Sequence, residues 1–154
     1  MDSADVKLIE QLQKHPDIAL AELSRRLEMS KTTCWNRIQR LEEQGVLGGR
    51  FVKLDRASIG LSVVVFLSIT VGRHSPDWME RFAELVNSFP EIVEVHRLTG
   101  EGADYQLKII CPDIEAYDIF QQRLIAEIDF TSMATKISMK EIKNTHTLPL
   151  MHLT

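Results

Sequence analysis

Residues 30–45 read SKTTCWNRIQRLEEQG, and their spacing separates two faces. Cys34, Ile38 and Leu41 stand at i, i+4 and i+7, one apolar stripe of a helix. Lys31, Thr32, Trp35, Asn36, Gln39 and Arg40 then point partly or fully outward, with Arg37 at the boundary. Ser30 is a good N-cap and Gly45 supplies the stop. The outward chemistry suits the grooves of DNA. A guanidinium pairs bidentately with guanine, the carboxamides of Asn and Gln pair with adenine, and Thr meets a phosphate or a thymine methyl. The free backbone N–H groups of Lys31 to Thr33 can face a phosphate. A solvated amphipathic helix in a small bundle shows the same pattern, so the stretch alone leaves both readings open.

A second candidate is the run TGEGADY, residues 99–105. As a turn, its two glycines relieve backbone strain between strands. As a site, Gly100 and Gly102 let backbone N–H groups approach a carboxylate, while Glu101 or Asp104 meets an ammonium. The residues alone favour the plain turn. The five histidines form no HExxH, HxH or HxxxH cluster, so no metal is expected. Cys34 and Cys111 lie far apart and form no CxxC pair, which argues against a disulfide framework. No serine lies in GxSxG, and GVLGG lacks the Lys-Ser/Thr of a phosphate loop. With no catalytic constellation visible, an enzyme is not expected, nor a cofactor.

The elements that position these residues follow from periodicity. Val6, Leu8, Ile9 and Leu12 make a helical stripe, ended by His15-Pro16-Asp17. Leu20, Leu23 and Leu27 mark a short second helix, and EMS is a tight link to the third. Short helix, tight turn and longer helix make helix-turn-helix geometry. VLGGRFVKLD reads as two short strands around Gly48-Gly49, a hairpin that resembles a wing and carries Arg50 and Lys53. RASIG is a connector. From Leu61 the period changes. LSVVVFLSITV is a strand; Trp78, Phe82, Leu85, Val86 and Phe89 mark a helix; residues 92–98 and 104–111 are strands. Ile114, Tyr117, Phe120 and Leu124 mark another helix, residues 133–142 a last strand, and NTHTLPLMHLT an irregular tail. The class is α+β: a winged helix-turn-helix domain over residues 1–60, then a ferredoxin-like βαββαβ domain over residues 61–154. The second face of the first strand carries Ser62, Val64, Phe66, Ser68 and Thr70. It is half apolar, and a second copy of the chain would cover it.

The 154 residues suffice for two small modules, whose modest cores self-association would help. The net charge of −4 conceals an asymmetry: residues 1–53 carry +1 and the remainder −5. The acidic part is a poor nucleic-acid binder, and the first part would need a local basic face. No apolar run approaches the ~18 residues that span a bilayer. The start MDSADVKLIE lacks a basic segment before an apolar run, so no signal peptide is expected and a cytoplasmic location follows.

Several runs together resemble the leucine-responsive/asparagine regulator family, Lrp/AsnC, of bacterial and archaeal transcription factors. They are KLIEQLQ after Asp5, AELSRRLEMSKTTCWNRIQRLEEQGVL, KLDRASIGL, TGEGADYQLKI and KEIKNTHTLPL, nearly the whole chain. Ser30, Arg37, Ile38, Leu41, Glu42, Gly45 and Val46 occupy positions of its central pattern, S-x-x-T-x-x-x-R-I-x-x-L-E-x-x-G-V. TTCWNRIQRLE is further similar to a proteobacterial subgroup with T-x-C-W-x-R in this helix, some members of which respond to cysteine or other amino acids. Two departures stand out. Ala19 replaces the usual Ser or Thr cap of the second helix, and TGEGADY is one residue longer than the common TGxxDY.

The resemblance implies dimers that assemble into octamers or other rings, with an amino acid bound between C-terminal domains. The outward face of the third helix, its start and the wing supply the DNA contacts, Ser30, Lys31, Thr32, Thr33, Trp35, Asn36, Arg37, Gln39, Arg40 and Arg50. The resemblance places the effector contacts on Gly100, Glu101, Gly102, Ala103 and Asp104, with Met133 and Thr135 of the last strand. The reading is a sequence-specific regulator of double-stranded DNA that senses a small amino acid. Its rival is an amino-acid-binding regulatory subunit of an enzyme, with no DNA face.

Overall fold

A computed structural model describes residues 1–72 and 75–153. The chain divides into two compact units, Met1–Lys53 with the segment from Lys143 onward, and Leu54–Ile142. The first unit holds α1 (Ser3–Lys14), α2 (Leu20–Arg26) and α3 (Lys31–Glu43). Asp2 caps α1 in a capping box, its carboxylate accepting from the Asp5 N–H while the Asp5 carboxylate accepts from the Asp2 N–H. Ala19 provides no side-chain cap for α2, as its lack of a polar group requires. Leu8, Ile9, Leu23, Ile38 and Leu41 form the core, where the three helical stripes converge.

Both helices of the helix-turn-helix pair end in the same hydrogen-bond motif. After α3, Gly45 takes φ +69°, and Val46 N–H donates to Leu41 O while Gly45 N–H donates to Glu42 O. After α2, Met29 N–H donates to Ser24 O and Glu28 N–H to Arg25 O. The residue forced to positive φ there is Glu28, at 53°. A side chain at that φ costs roughly 1–2 kcal/mol, which glycine avoids.

The expected wing does not form a hairpin. Residues 48–55 carry no strand, and neither Gly48 nor Gly49 takes the positive φ that the favoured two-residue hairpin turn demands. A two-stranded ribbon with no further strand beside it is marginal, and Phe51, Val52 and Leu54 remain exposed. The tail also departs from its expected place in the second domain. It packs in the first unit, where Leu150 lies against the helical core.

The second unit contains β1 (Val63–Thr70), α4 (Pro76–Ser88), β2 (Ile92–Arg97), β3 (Tyr105–Cys111), α5 (Ile114–Glu127) and β4 (Ser132–Ile137). The sheet order is β2-β3-β1-β4, and every pair is antiparallel. This is the order of a ferredoxin-like unit. Val65, Leu67, Ile69 and the alternate residues Tyr105, Leu107, Ile109 and Cys111 of β3 face the helices. Phe82, Phe89, Tyr117, Phe120 and Leu124 close the core from α4 and α5. Ile114 departs from the expected stripe: it opens α5 and is exposed. The strand expected over 133–142 ends at Ile137.

Candidate DNA-binding helix and effector turn

The side chains expected to read DNA fall into two groups. Lys31, Thr32, Trp35 and Asn36 are exposed, Trp35 at 52% despite its apolar ring. Ser30 and Thr33 hold the helix start: Ser30 Oγ accepts from Thr33 N–H at 3.0 Å and shares a 2.8 Å hydrogen bond with its hydroxyl. The cap fixes the first turn of α3 and aims its remaining N–H groups outward.

The second group is occupied. Arg37 Nη1 donates to Asp5 Oδ1 at 2.6 Å and to both Asp2 oxygens at 2.8 and 2.9 Å. Arg40 Nη2 donates to both Asp5 oxygens at 2.6 Å. Gln39 Nε2 donates to Glu42 Oε2 at 2.9 Å. Asp5 is only 1% exposed, so the two arginines neutralise a buried carboxylate. Burial pushes the Asp5 carboxyl up, but the Asp2 N–H and the Arg37 guanidinium bring it below its ordinary range. Asp2 is held at about 2, chiefly by its hydrogen bond from Arg37. Arg37 and Arg40 thus bolt α3 to the start of α1. Asp2 and Asp5 were absent from the expected site; their signal was the capping-box spacing D-S-A-D, which does not reveal the arginines. Arg50 is exposed on the segment after α3.

In the second unit, the sheet order brings the expected effector residues to one end of β1. Thr70 Oγ1 donates to Gly102 O at 3.1 Å, and Thr70 pairs with Ser132 across to β4. Met133 lies opposite Ile69 and Thr135 opposite Leu67. Gly100 and Gly102 both take positive φ, 116° and 109°, so the turn needs them. Glu101 is exposed and Ala103 half-buried. Asp104 works inside the fold: Oδ2 accepts from Val71 N–H at 2.7 Å, its N–H donates to Ile69 O, and its carbonyl accepts from Leu98 N–H. The Asp104 carboxylate therefore ties the turn to the end of β1. Thr135 shares a 2.7 Å hydrogen bond with the buried Tyr117 hydroxyl, which links β4 to α5.

Among the described residues no group of three His, Cys, Asp or Glu side chains stands close enough to hold a metal ion, and no helix is long and apolar enough to cross a membrane.

Comparisons with known proteins agree with this geometry. Residues 1–47 match the family model described as winged helix-turn-helix DNA-binding, and residues 64–148 match the Lrp/AsnC ligand binding domain. The glutamate uptake regulatory protein of Zymomonas mobilis is 37% identical over 150 residues, covering 97% of this chain and 91% of that protein. The crystal structure of an AsnC family transcriptional regulator from Agrobacterium tumefaciens superposes with a TM-score of 0.95 at 41% identity, covering all of both chains. A transcriptional regulator from Neisseria meningitidis in complex with L-methionine gives 0.93 at 31% identity, covering 100% of this chain and 99% of that one. These matches set aside a subunit without a DNA-binding domain, and they set aside an enzyme, since the family consists of transcription regulators. The chain belongs to the Lrp/AsnC family of transcription regulators, with a winged helix-turn-helix DNA-binding domain followed by a ligand-binding domain.

Proposed function

We propose that this regulator reads its operator through Lys31, Thr32, Trp35 and Asn36, the exposed first half of α3. The observation that carries the reading is the division of that helix. Arg37 and Arg40 are committed to Asp5, and the side chains ahead of them are not. Asn36 matches the edge of adenine, Lys31 and the capped N-terminus match phosphate or guanine, and the Trp35 ring packs on sugar or a thymine methyl. Arg50 adds a phosphate contact from the following segment. By its T-x-C-W-x-R pattern we place the helix in the corresponding proteobacterial subgroup.

The effector is a small amino acid, for which L-methionine is the first probe, because a solved relative holds it. Its carboxylate meets the N–H groups around Gly100 and Gly102, its ammonium meets Glu101, and Ala103, Met133 and Thr135 border the side chain. Asp104 supports this turn rather than leaving its carboxylate to the ligand. Dimers form over the β1 face at Phe66, Ser68 and Thr70, which stay half-exposed in the single chain, and such dimers build rings such as an octamer. Such a regulator works where the chromosome is, in the cytoplasm.

Gel shifts with genomic fragments at stated salt test the DNA reading. A panel of amino acids followed by thermal stability tests the effector. Asp104→Ala is expected to lower effector affinity by loosening the turn, and to reduce the stability of the second unit by about 1–3 kcal/mol through the orphaned Val71 N–H. Calorimetry and melting of the same variant check both effects. An unchanged melting temperature would show that the hydrogen bond to Val71 does not hold the turn.

A further inference from the structure

The segment after Ile142 leaves the sheet unit and returns to the helical one. Three of its attachments there are the following. The Gln13 side chain, near the end of α1, meets the backbone of Leu148 twice: Leu148 N–H donates to Gln13 Oε1 at 2.6 Å, and Gln13 Nε2 donates to Leu148 O at 3.3 Å. The carboxamide thus stands in for a neighbouring strand. Two residues on, Leu150 packs against the core that seats Ile38 and Leu41 of α3. Earlier in the segment, the His146 ring meets the Phe51 ring edge-on at 4.9 Å.

A half-open cleft of about 770 Å³ lies beside the segment, bordered by Gln13, Ile38, Glu42, Gly48, Phe51 and Thr147. Residues 143–149 are exposed, and an element seated by exposed contacts beside a cleft belongs to the low-stability end of a fold, where opening is easy. β4 ends at Ile137, Ser138 N–H still donates to Val64 O, and the docked segment begins at Lys143, so four residues join the sheet to it. A four-residue link stretches to at most about 15 Å. So short a link can carry a displacement of β4 to the docked segment.

We propose that residues 143–153 are a releasable strap: docked, it seats α3 for DNA binding, and a shift of β4 pulls it away. The relay rests on the reading that an amino acid acts at β4; the seating does not. Gln13 and Leu150 are positioning residues, which act on DNA through α3.

Five full-length or near-full-length variants test this by gel shift at fixed salt, with and without L-methionine, beside calorimetry of L-methionine binding. Leu150→Asp, and a chain ending at Ile142, are expected to lose tenfold or more in DNA affinity while binding L-methionine as the parent does. Leu150→Met restores the affinity. Gln13→Ala, an external change that leaves the helical core intact, loses a smaller factor, about threefold. A ten-residue Gly-Ser insertion after Ile142 leaves DNA affinity and L-methionine affinity at parental values but abolishes the effect of L-methionine on DNA binding. A chain ending at Ile142 that binds DNA like the parent overturns the strap, and an insertion variant that still responds overturns the relay. If the parent's DNA binding ignores every amino acid, the effector reading fails instead, and Leu150→Asp against Gln13→Ala decides the seating alone.

Discussion

Among the described residues, both buried polar side chains, Asp5 and Ser24, lie in the helical unit, while the sheet unit buries only apolar side chains, its tyrosines and a cysteine. The central apolar cluster of the helical unit has five buried aliphatic residues; that of the sheet has fourteen, with rings tilted at Phe82 and Tyr105 and edge-on at Phe89 and Phe120. At roughly 1.5–3 kcal/mol for each buried side chain, five supply on the order of 10 kcal/mol before chain entropy is subtracted. The loss of a buried ion pair is a large fraction of that. The sheet unit, with its ladders and larger core, has more to spare. The helix that meets DNA is thus held by directional charge contacts, and the ligand domain by burial.

That contrast is most exposed to Asp5→Ala. The change takes from Arg37 and Arg40 their buried partner, leaving Arg37 on Asp2 and Arg40 facing solvent, and the expected cost is about 1.5–3 kcal/mol from the lost charge-assisted hydrogen bonds, confined to the helical unit. Hydrogen exchange read separately on α1–α3 and on the sheet measures it. Parental protection in α1 and α3 would mean that the five aliphatic residues suffice and that the lock is incidental.

Next in size is a split within α3 itself. Asn36→Ala is expected to weaken operator binding by about 1–3 kcal/mol at unchanged melting temperature. Arg40→Ala is expected to lower the melting temperature of the helical unit, because it removes one of the two cations on Asp5. A quantitative gel shift and a thermal melt on each protein give the comparison. If Arg40→Ala weakens DNA binding without any loss of stability, Arg40 leaves Asp5 to reach the DNA.

Acid should separate the units as well. Asp5 and Asp2 are both depressed in the folded chain, so their contribution is fully present above the ordinary carboxylate value near 3.8 and is lost as pH falls toward about 2. The helical unit is expected to lose protection across that window ahead of the sheet, whose core buries no carboxylate among the described residues. Circular dichroism and tryptophan fluorescence from pH 5 to pH 2 follow it, with Trp35 in one unit and Trp78 in the other. Simultaneous loss would place the acid-sensitive contacts elsewhere.

The smallest expected effect is a gain. Glu28 sits at φ 53° in the turn between α2 and α3, where glycine carries no Cβ penalty. Glu28→Gly is expected to raise the stability of the helical unit by roughly 1 kcal/mol, the αL strain being partly offset by the greater entropy of glycine in the unfolded chain. Chemical denaturation gives the sign.

Periodicity and capping are local physics, and they carried the sequence reading far. The stripes of α1, α3 and α4, the Ser30 cap, the Gly45 stop and the βαββαβ order all depend on neighbours within a few positions or on alternation along one strand. The two glycines of TGEGADY likewise announce a turn, and the strand order brings that turn beside Met133 and Thr135. Which outward side chains remain available is a different question. Arg37 and Arg40 are exposed-looking by spacing, yet their partner is Asp5, 32 and 35 residues away. Asp104 looks free to meet a ligand, yet its oxygen is taken by Val71, 33 residues away. Gly48-Gly49 promises a hairpin, but strand pairing needs a ladder that the surrounding fold does not supply. The tail looks irregular, and it is; its docking on α1 depends on Gln13, 135 residues from Leu148. Local sequence determined the elements and their faces because backbone sterics and helix periodicity act over a few residues. Only tertiary structure decided which of those faces are left for DNA and ligand, because hydrogen bonds and ion pairs are satisfied by whatever folding brings within 3 Å, however distant along the chain.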